Sequence, residues 1–274
     1  MTQWPSPPPG HQLRREAGGV LGERQLHPLG WDDLTGRPDI PSADGDPYLM
    51  ERYARYSIDF MSNIIAAGKY EGGWETGVSG SGTLTIVDAI NGIAELQGAA
   101  SGAGGAYIFV DQGAGTLGSQ DIARSPVYCA RWAMQSEAGD ERTYIGLCNG
   151  WAFAIPVTLP AGLYFDHVPG ANMNAIASTG TATTVVDTGL NPVVGTFYRF
   201  RIVTFLDGLE VRYYYDDSTN RLVSNWQQVA AITTNLPASA TRLQPGARHD
   251  RTSGAPATGT SRVDYIFGWQ HRIP

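Results

Sequence analysis

The sequence predicts an all-β protein, a two-sheet antiparallel β-sandwich or jelly roll, and three observations carry that expectation. Gly supplies 34 of 274 residues while Asp, Glu, Lys and Arg together make up only 16%, the texture of short strands joined by tight turns and not of a helical bundle. From residue 76 onward, short apolar runs succeed one another with Gly, Pro or Asn between most of them. One hairpin can also be tested by register. A two-residue turn at Asp207-Gly208 sets Ile202 against Tyr213, Phe200 against Tyr215 and Thr204 beside Val211 on one side. The other side pairs Arg201 with Tyr214 and Phe205 with Glu210, so an apolar and a polar face emerge without adjustment. The length suits one large sandwich with an appendage.

Residues 1–46 differ from the rest and are expected to form an extended Pro-rich N-terminal arm. Prolines at 5, 7, 8, 9, 28, 38 and 41 break every candidate helix or central strand. Yet Trp4, Leu21, Leu26, Leu29, Trp31 and Leu34 give the arm more apolar bulk than a solvating tail needs. These six residues are candidate docking groups, for this domain or for a neighbour; the alternative is a flexible leader.

Residues 47–75 form a linker holding one short helix or a first strand. Asp46 and Pro47 suit an N-cap and first helical position, and Leu49, Tyr53, Tyr56, Phe60 and Ile64 recur at helical spacing. Tyr56, Ile58 and Phe60 also alternate with Ser57 and Asp59 as a strand would. A short helix running into a strand satisfies both patterns.

Residues 76–274 form the sandwich. Strands are expected at 83–88 and 93–97, flanking the hairpin signal Asn91-Gly92, and then at 107–110, 127–135, 143–148, 163–168, 183–187, 197–206, 209–215, 223–232 and 263–269. A second hairpin, turning through residues 136–141, would set Trp132 against Ile145 and Ala130 against Leu147. The same register sets Cys129 opposite Cys148 on the other face, a cross-strand pair and candidate disulfide. The alternative is two unrelated small hydrophobes in separate strands, kept reduced in a cytosol.

Composition excludes several functions. A net charge of -7 and a pI near 5.2 argue against nucleic acid, which needs clustered cations. Of the nineteen basic residues Lys69 is the only lysine, a bias carrying no mechanism. The first ten residues lack the pattern of a secretory signal, and no apolar run is long enough to span a bilayer, so a soluble protein made in a cytosol is expected. No catalytic group is assigned. None of the expected strands places Asp or Glu at i and i+2, the spacing that sets paired carboxylates on one face for glycoside hydrolysis. Glu71 and Glu75 fall in a Gly-rich irregular segment, and Asp140-Glu141 and Asp216-Asp217 are adjacent acids in expected turns. His11, His27, His167, His249 and His271 show no ligand spacing with each other or with the cysteines, so no metal or cofactor is expected. Calcium held by turn aspartates is a weak alternative. Tyr213, Tyr214 and Tyr215 are consecutive, so at least one points outward, and Trp74, Trp151, Trp226 and Trp269 lie in or beside strands. Exposed rings of this kind would stack on sugars or dock a partner, while core packing is the ordinary role for any single one.

The segments GTFYRFRIVTFLDGLEVRYYYDD, TTNLPASATRLQPGARHD and SRVDYIFGWQHR read as a long hairpin, a connection into a penultimate strand and a last core strand. In that arrangement residues 76–273 resemble the concanavalin-like jelly-roll domains of structural proteins of tailed bacteriophages. The resemblance implies a non-enzymatic virion component, most simply a capsid decoration or head-surface protein docked through its arm, with capsid or other virion proteins as partners and a homo-oligomeric state. A glycan-binding, lectin-like module of a tail or fibre is the alternative.

Overall fold

The computed structural model describes residues 11–15, 21–25, 53–59, 68–69, 74–88, 92–100, 102–110, 120–137, 139–151, 159–205, 208–217, 225–239, 241–252 and 259–271. The chain divides into two units, Met1–Asp44 with Asn220–Ser224, and Gly45–Thr219 with Asn225–Pro274.

In the first unit β1 (His11–Arg15) pairs antiparallel with β2 (Leu21–Gln25), Leu13 facing Glu23. The expected arm is thus not extended throughout. Its prolines stop at residue 9 and resume at 28, and the free interval between them holds the ribbon.

The second unit is a sandwich of two antiparallel sheets. The first sheet runs β17 (Gln227–Ile232), β16 (Glu210–Asp216), β15 (Phe197–Phe205), β10 (Val127–Ser136), β19 (Thr260–His271), β7 (Ile93–Gln97), β6 (Thr83–Asp88), with β3 (Tyr53–Asp59) also on β19. The second runs β14 (Thr183–Asp187), β13 (Asn174–Ser178), β12 (Gly162–His167), β11 (Glu141–Cys148), β18 (Arg242–Arg251), β8 (Gly104–Val110), β5 (Trp74–Val78), β4 (Gly68–Lys69), with β9 (Gln120–Asp121) on β18. Among the described residues the one helical element is a 3₁₀ turn, Ile122–Arg124. The sandwich begins well before residue 76: β3 and β5 are integral strands, so over Tyr53–Asp59 the alternating pattern prevails over the helical one. The expected N-cap at Asp46 and Pro47 lies outside the described residues.

The β15–β16 hairpin has the register expected from its turn, Ile202 on Tyr213, Phe200 on Tyr215, Arg201 on Tyr214. Of the three consecutive tyrosines Tyr213 is buried, Tyr215 packs against the core and Tyr214 faces outward. The β6–β7 hairpin forms around Gly92, which takes φ 67°. A bulge between Ile86 and Asp88 shifts its register, so that Asp88 faces Ile93.

The second expected hairpin does not form. β10 pairs with β15 and β19, and β11 with β12 and β18, so the segment between them crosses from one sheet to the other. Trp132 and Ile145 both belong to the core, but on opposite sheets. Cys129 lies opposite Arg201 and Phe267, Cys148 opposite Gly162 and Gln244. Both are buried, and no disulfide joins them. Each sits on the outward side of its own strand, next to core residues Tyr128 and Ala130 or Leu147, so two sheets about 10 Å apart separate them and no bond can close.

The core between the sheets is aromatic. Phe165 lies 4.8 Å from Phe200 and 5.3 Å from Tyr213 by ring centroids, and Trp132 packs edge-on to Phe200 at 5.9 Å. The hydroxyls of Tyr128 and Tyr213 donate across the gap to the carbonyls of Gly246 (2.8 Å) and Ile176 (2.6 Å), so burying them strands no donor. Five strands of the second sheet were not anticipated, the short β4, β5 and β9 and the more central β13 and β18. β13 is small and weakly patterned (NAIAS), and β18 carries Pro245. Pairing of β18 with β8 ends at Gly246 and with β9 at Leu243, which leaves Pro245 at a break in the ladder where no N–H is required.

Candidate functional site

Of the six candidate docking residues, Leu21 begins β2 opposite Arg15, while Trp4, Leu26, Leu29, Trp31 and Leu34 lie outside the described residues. The chemistry that is described lies on the outward faces of the two sheets and at one end of the core.

On the outward face of the second sheet, directly opposed residues form one row across seven strands: Gly77, Tyr107, Arg248, Tyr144, Asp166, Asn174 and Asp187. With adjacent strands about 4.8 Å apart, the row spans about 29 Å perpendicular to the strands. Strand alternation explains it, since each residue is the outward neighbour of a core position such as Ala106, Ala247, Ile145, Phe165 or Ala175. Beside it runs a row centred on Gly246 and Gly146, flanked by Phe109 on one side and Tyr164 and Ile176 on the other. Trp151 fills the depression these glycines leave; a side chain at Gly246 would come within 2.7 Å of its ring. Its indole N–H donates to Gln244 O at 2.8 Å.

Arg142 projects on this face at 35% side-chain exposure and holds Asp166 Oδ2 at 3.1 Å, while Arg248 grips Asp250 and the carbonyl of Trp151. Burial raises the Asp166 and Asp250 carboxyls above the ordinary carboxylate range, and the arginines oppose the rise. At the β14 end Asp187 is exposed, and its carboxyl is held below the usual range by the Gly189 N–H and the Asn172 amide.

The outward face of the first sheet is built of arginines and rings. Arg201 lies over Trp226 at 4.4 Å and Tyr214 at 5.4 Å, Arg131 over Phe197 at 4.3 Å, Arg212 over Phe205 at 4.4 Å. Phe267 stacks on Trp269. Arg199 meets Asp216 at 2.5 Å, Arg212 meets Glu210 at 2.5 Å, Arg262 meets Glu95 at 2.8 Å, and Arg131 meets Asp264.

A polar cluster occupies one end of the core. The sequence separates His167 and His249 by a long interval, but β11 stands between their strands and brings both beside Thr143. His249 Nδ1 shares a 2.8 Å hydrogen bond with Thr143 Oγ1, and its Nε2 lies 3.4 Å from Glu141. Glu141 is buried and accepts from the N–H of Gly259. Glu141 and Asp216, expected in solvated turns, are thus both inside; tertiary packing found each a partner. Among the described residues no three His, Cys, Asp or Glu side chains gather to hold a metal.

His167 is fully buried with neither ring nitrogen hydrogen-bonded to a described residue, and Glu137 is 3.8 Å away. Burial, with the neighbouring His249, lowers its pKa from 6.5 to about 4. Between those values the unfolded chain takes up a proton that the fold refuses, so stability falls as pH drops from 6.5 to about 4, by about 3 kcal/mol in all. Buried Asp166 and Asp250 titrate with the opposite sign, so the effect is isolated by comparison with His167→Gln. Urea midpoints measured across this window should fall less steeply for the variant.

No family model matches the chain, and no curated protein sequence matches it. Solved structures do. A Bacillus licheniformis β-glucanase superposes with a TM-score of 0.51 at 9% identity, over 80% of this chain and 99% of its own. Peanut lectin gives 0.50 at 10% identity over 81% and 99%. The CBM2 module of the evolved Dit protein of Lactobacillus casei BL23 phage J-1 gives 0.51 at 13% identity over 81% and 98%. The fold is the concanavalin-like jelly roll. At these identities the likeness concerns architecture alone, which serves enzymes and binding proteins alike. What this chain's faces add is that six of their acids, Asp166, Asp250, Asp216, Asp264, Glu210 and Glu95, each meet an arginine.

Proposed function

We propose that the chain is a non-catalytic glycan-binding module of a bacteriophage particle. The observation that carries the reading is the open end of the transverse row on the second sheet, where half-buried Asn174 and exposed Asp187 stand directly opposed beside exposed Val185, setting hydrogen-bonding groups next to an apolar surface as a sugar needs. The ion pairs favour binding over hydrolysis. A general acid must reach the glycosidic oxygen, and Asp166 and Asp250 are buried, each engaged by an arginine. A particle location is supported by the phage module among the similar folds. The test is binding of the purified chain to a panel of polysaccharides by isothermal titration calorimetry, with reducing-end release assayed in parallel. Saturable binding without release is expected. Release of reducing ends would overturn the non-catalytic reading, and no binding to any polymer would overturn the glycan reading.

A second reading, capsid decoration, has its own support in the first sheet's outward face. Arg, Trp and Tyr dominate it around Arg201, Trp226 and Tyr214, the residue types enriched in protein interfaces. Under that reading the full chain cosediments with phage heads stripped of surface proteins at a fixed copy number, and the Arg201→Ala/Trp226→Ala pair loses binding. Unchanged cosedimentation by the pair would remove this face from the interface.

A further inference from the structure

We infer that the ligand of the second sheet's outward face is an uncharged polysaccharide bearing vicinal hydroxyls, held at the β11–β14 end, and that anionic polymers are rejected there. The inference rests on the glycan reading above and narrows it to a chemical class and a set of residues.

Accessibility selects this end of the row. Arg248, Tyr144 and Asp166 in its middle are buried, whereas Arg142 is partly open, Asn174 half-buried and Asp187 exposed. Asn174 stands between Asp166 and Asp187, directly opposite both. Val185, one outward position along β14 from Asp187, is 55% exposed and opposite Ile176. It offers the C–H face of a sugar ring an apolar rest.

Charge selects the class. Among the described residues near this end of the face, Arg142 pairs with Asp166 and Arg248 with Asp250, while exposed Arg242 lies at the far end of β18. Arg142 spends its charge on Asp166 and Arg248 on Asp250, which leaves Asp187, held only by the neutral Asn172 amide and a backbone N–H, as the outermost charge. A uronate or phosphate polymer would meet a carboxylate there, on a chain of net charge -7. Hydroxyls suit the same groups. Each donates and accepts, so a vicinal pair can donate to the Asp187 carboxylate while accepting from the amide of Asn174 directly opposite it.

The test titrates the full chain with a neutral glucan, mannan and galactan, and with polygalacturonate and poly(glycerol phosphate), each at low and high salt, alongside Asp187→Ala and Val185→Ser. Both sites are exposed, and retained Tm shows that the variants fold. Neutral polymers should bind with an affinity nearly independent of salt. Asp187→Ala should weaken them by about tenfold or more, the range for a hydrogen bond to a charged group, and the anionic polymers should not bind. Tighter binding of an anionic polymer, lost at high salt, would overturn the class while leaving the glycan reading intact. Neutral binding unmoved by both variants would overturn the location. Failure of every polymer would remove the proposed function itself, and this inference with it.

Discussion

Replacing Glu141 by alanine is expected to cost about 3–5 kcal/mol, the range for breaking one side of a buried charged network. Glu141 is 1% exposed, at the point where the chain has just crossed from the first sheet to the second. Its carboxylate accepts the N–H of Gly259, at the entry to β19 in the first sheet, and faces His249 of the second. Arg251, opposite Glu141 on β18, donates to the carbonyl of Ala99 at 2.8 Å and lies 3.5 Å from Asp140. One carboxylate thus ties strand ends of both sheets. The alanine variant leaves the buried Gly259 N–H without its acceptor and removes the carboxylate that lies 3.4 Å from His249. Glu141→Gln keeps an acceptor and should cost less than half as much. The local packing makes a companion expectation: a methyl group at Gly259 would overlap the carboxylate itself, so Gly259→Ala should destabilise as Glu141→Ala does. Urea denaturation with unchanged m-values checks both. A loss below about 1 kcal/mol for Glu141→Ala would mean that the network is solvated and that the two sheets are held by apolar packing alone.

Trp132→Ala should cost a comparable amount, about 3–5 kcal/mol, for a different reason. The ring is fully buried at the middle of β10, packs edge-on to Phe200 at 5.9 Å and sits 6.0 Å from His167. The surrounding strands are held by ladders on both sides, β15 and β19, so the cavity cannot collapse. The indole N–H has no hydrogen-bond partner among the described residues. Trp132→Phe therefore gives up volume but relieves an unpaired donor, and its loss should be well under half that of the alanine variant. Equal losses for the two variants, measured by urea denaturation, would show that the indole donor is satisfied and contributes to the fold.

The candidate site was only partly legible. Strand alternation in 107–110, 143–148 and 163–168 is visible in the chain, so Tyr107, Tyr144 and Asp166 can each be assigned a side. That they stand in one row is set by register between strands far apart in sequence, and by β13 and β18, whose patterns are weak. NAIAS carries too little bulk to announce a strand, and Pro245 argues against the one that contains it. Without those two strands Asn174 and Arg248 cannot be placed. The Cys129–Cys148 expectation failed for a related reason. A short polar connection between two apolar strands looks the same whether the chain turns back within a sheet or steps across to the other, and in this protein it steps across.

The sequence by itself determined the fold class, most strand positions and the β15–β16 register, because alternation and turn chemistry are local properties that the chain carries wherever it folds. Tertiary structure alone decided which strands share a sheet, which acids are buried and which meet an arginine. Those outcomes depend on contacts between residues a hundred or more positions apart, such as Arg131 with Asp264 or Glu141 with Gly259, and no local pattern encodes such a pairing.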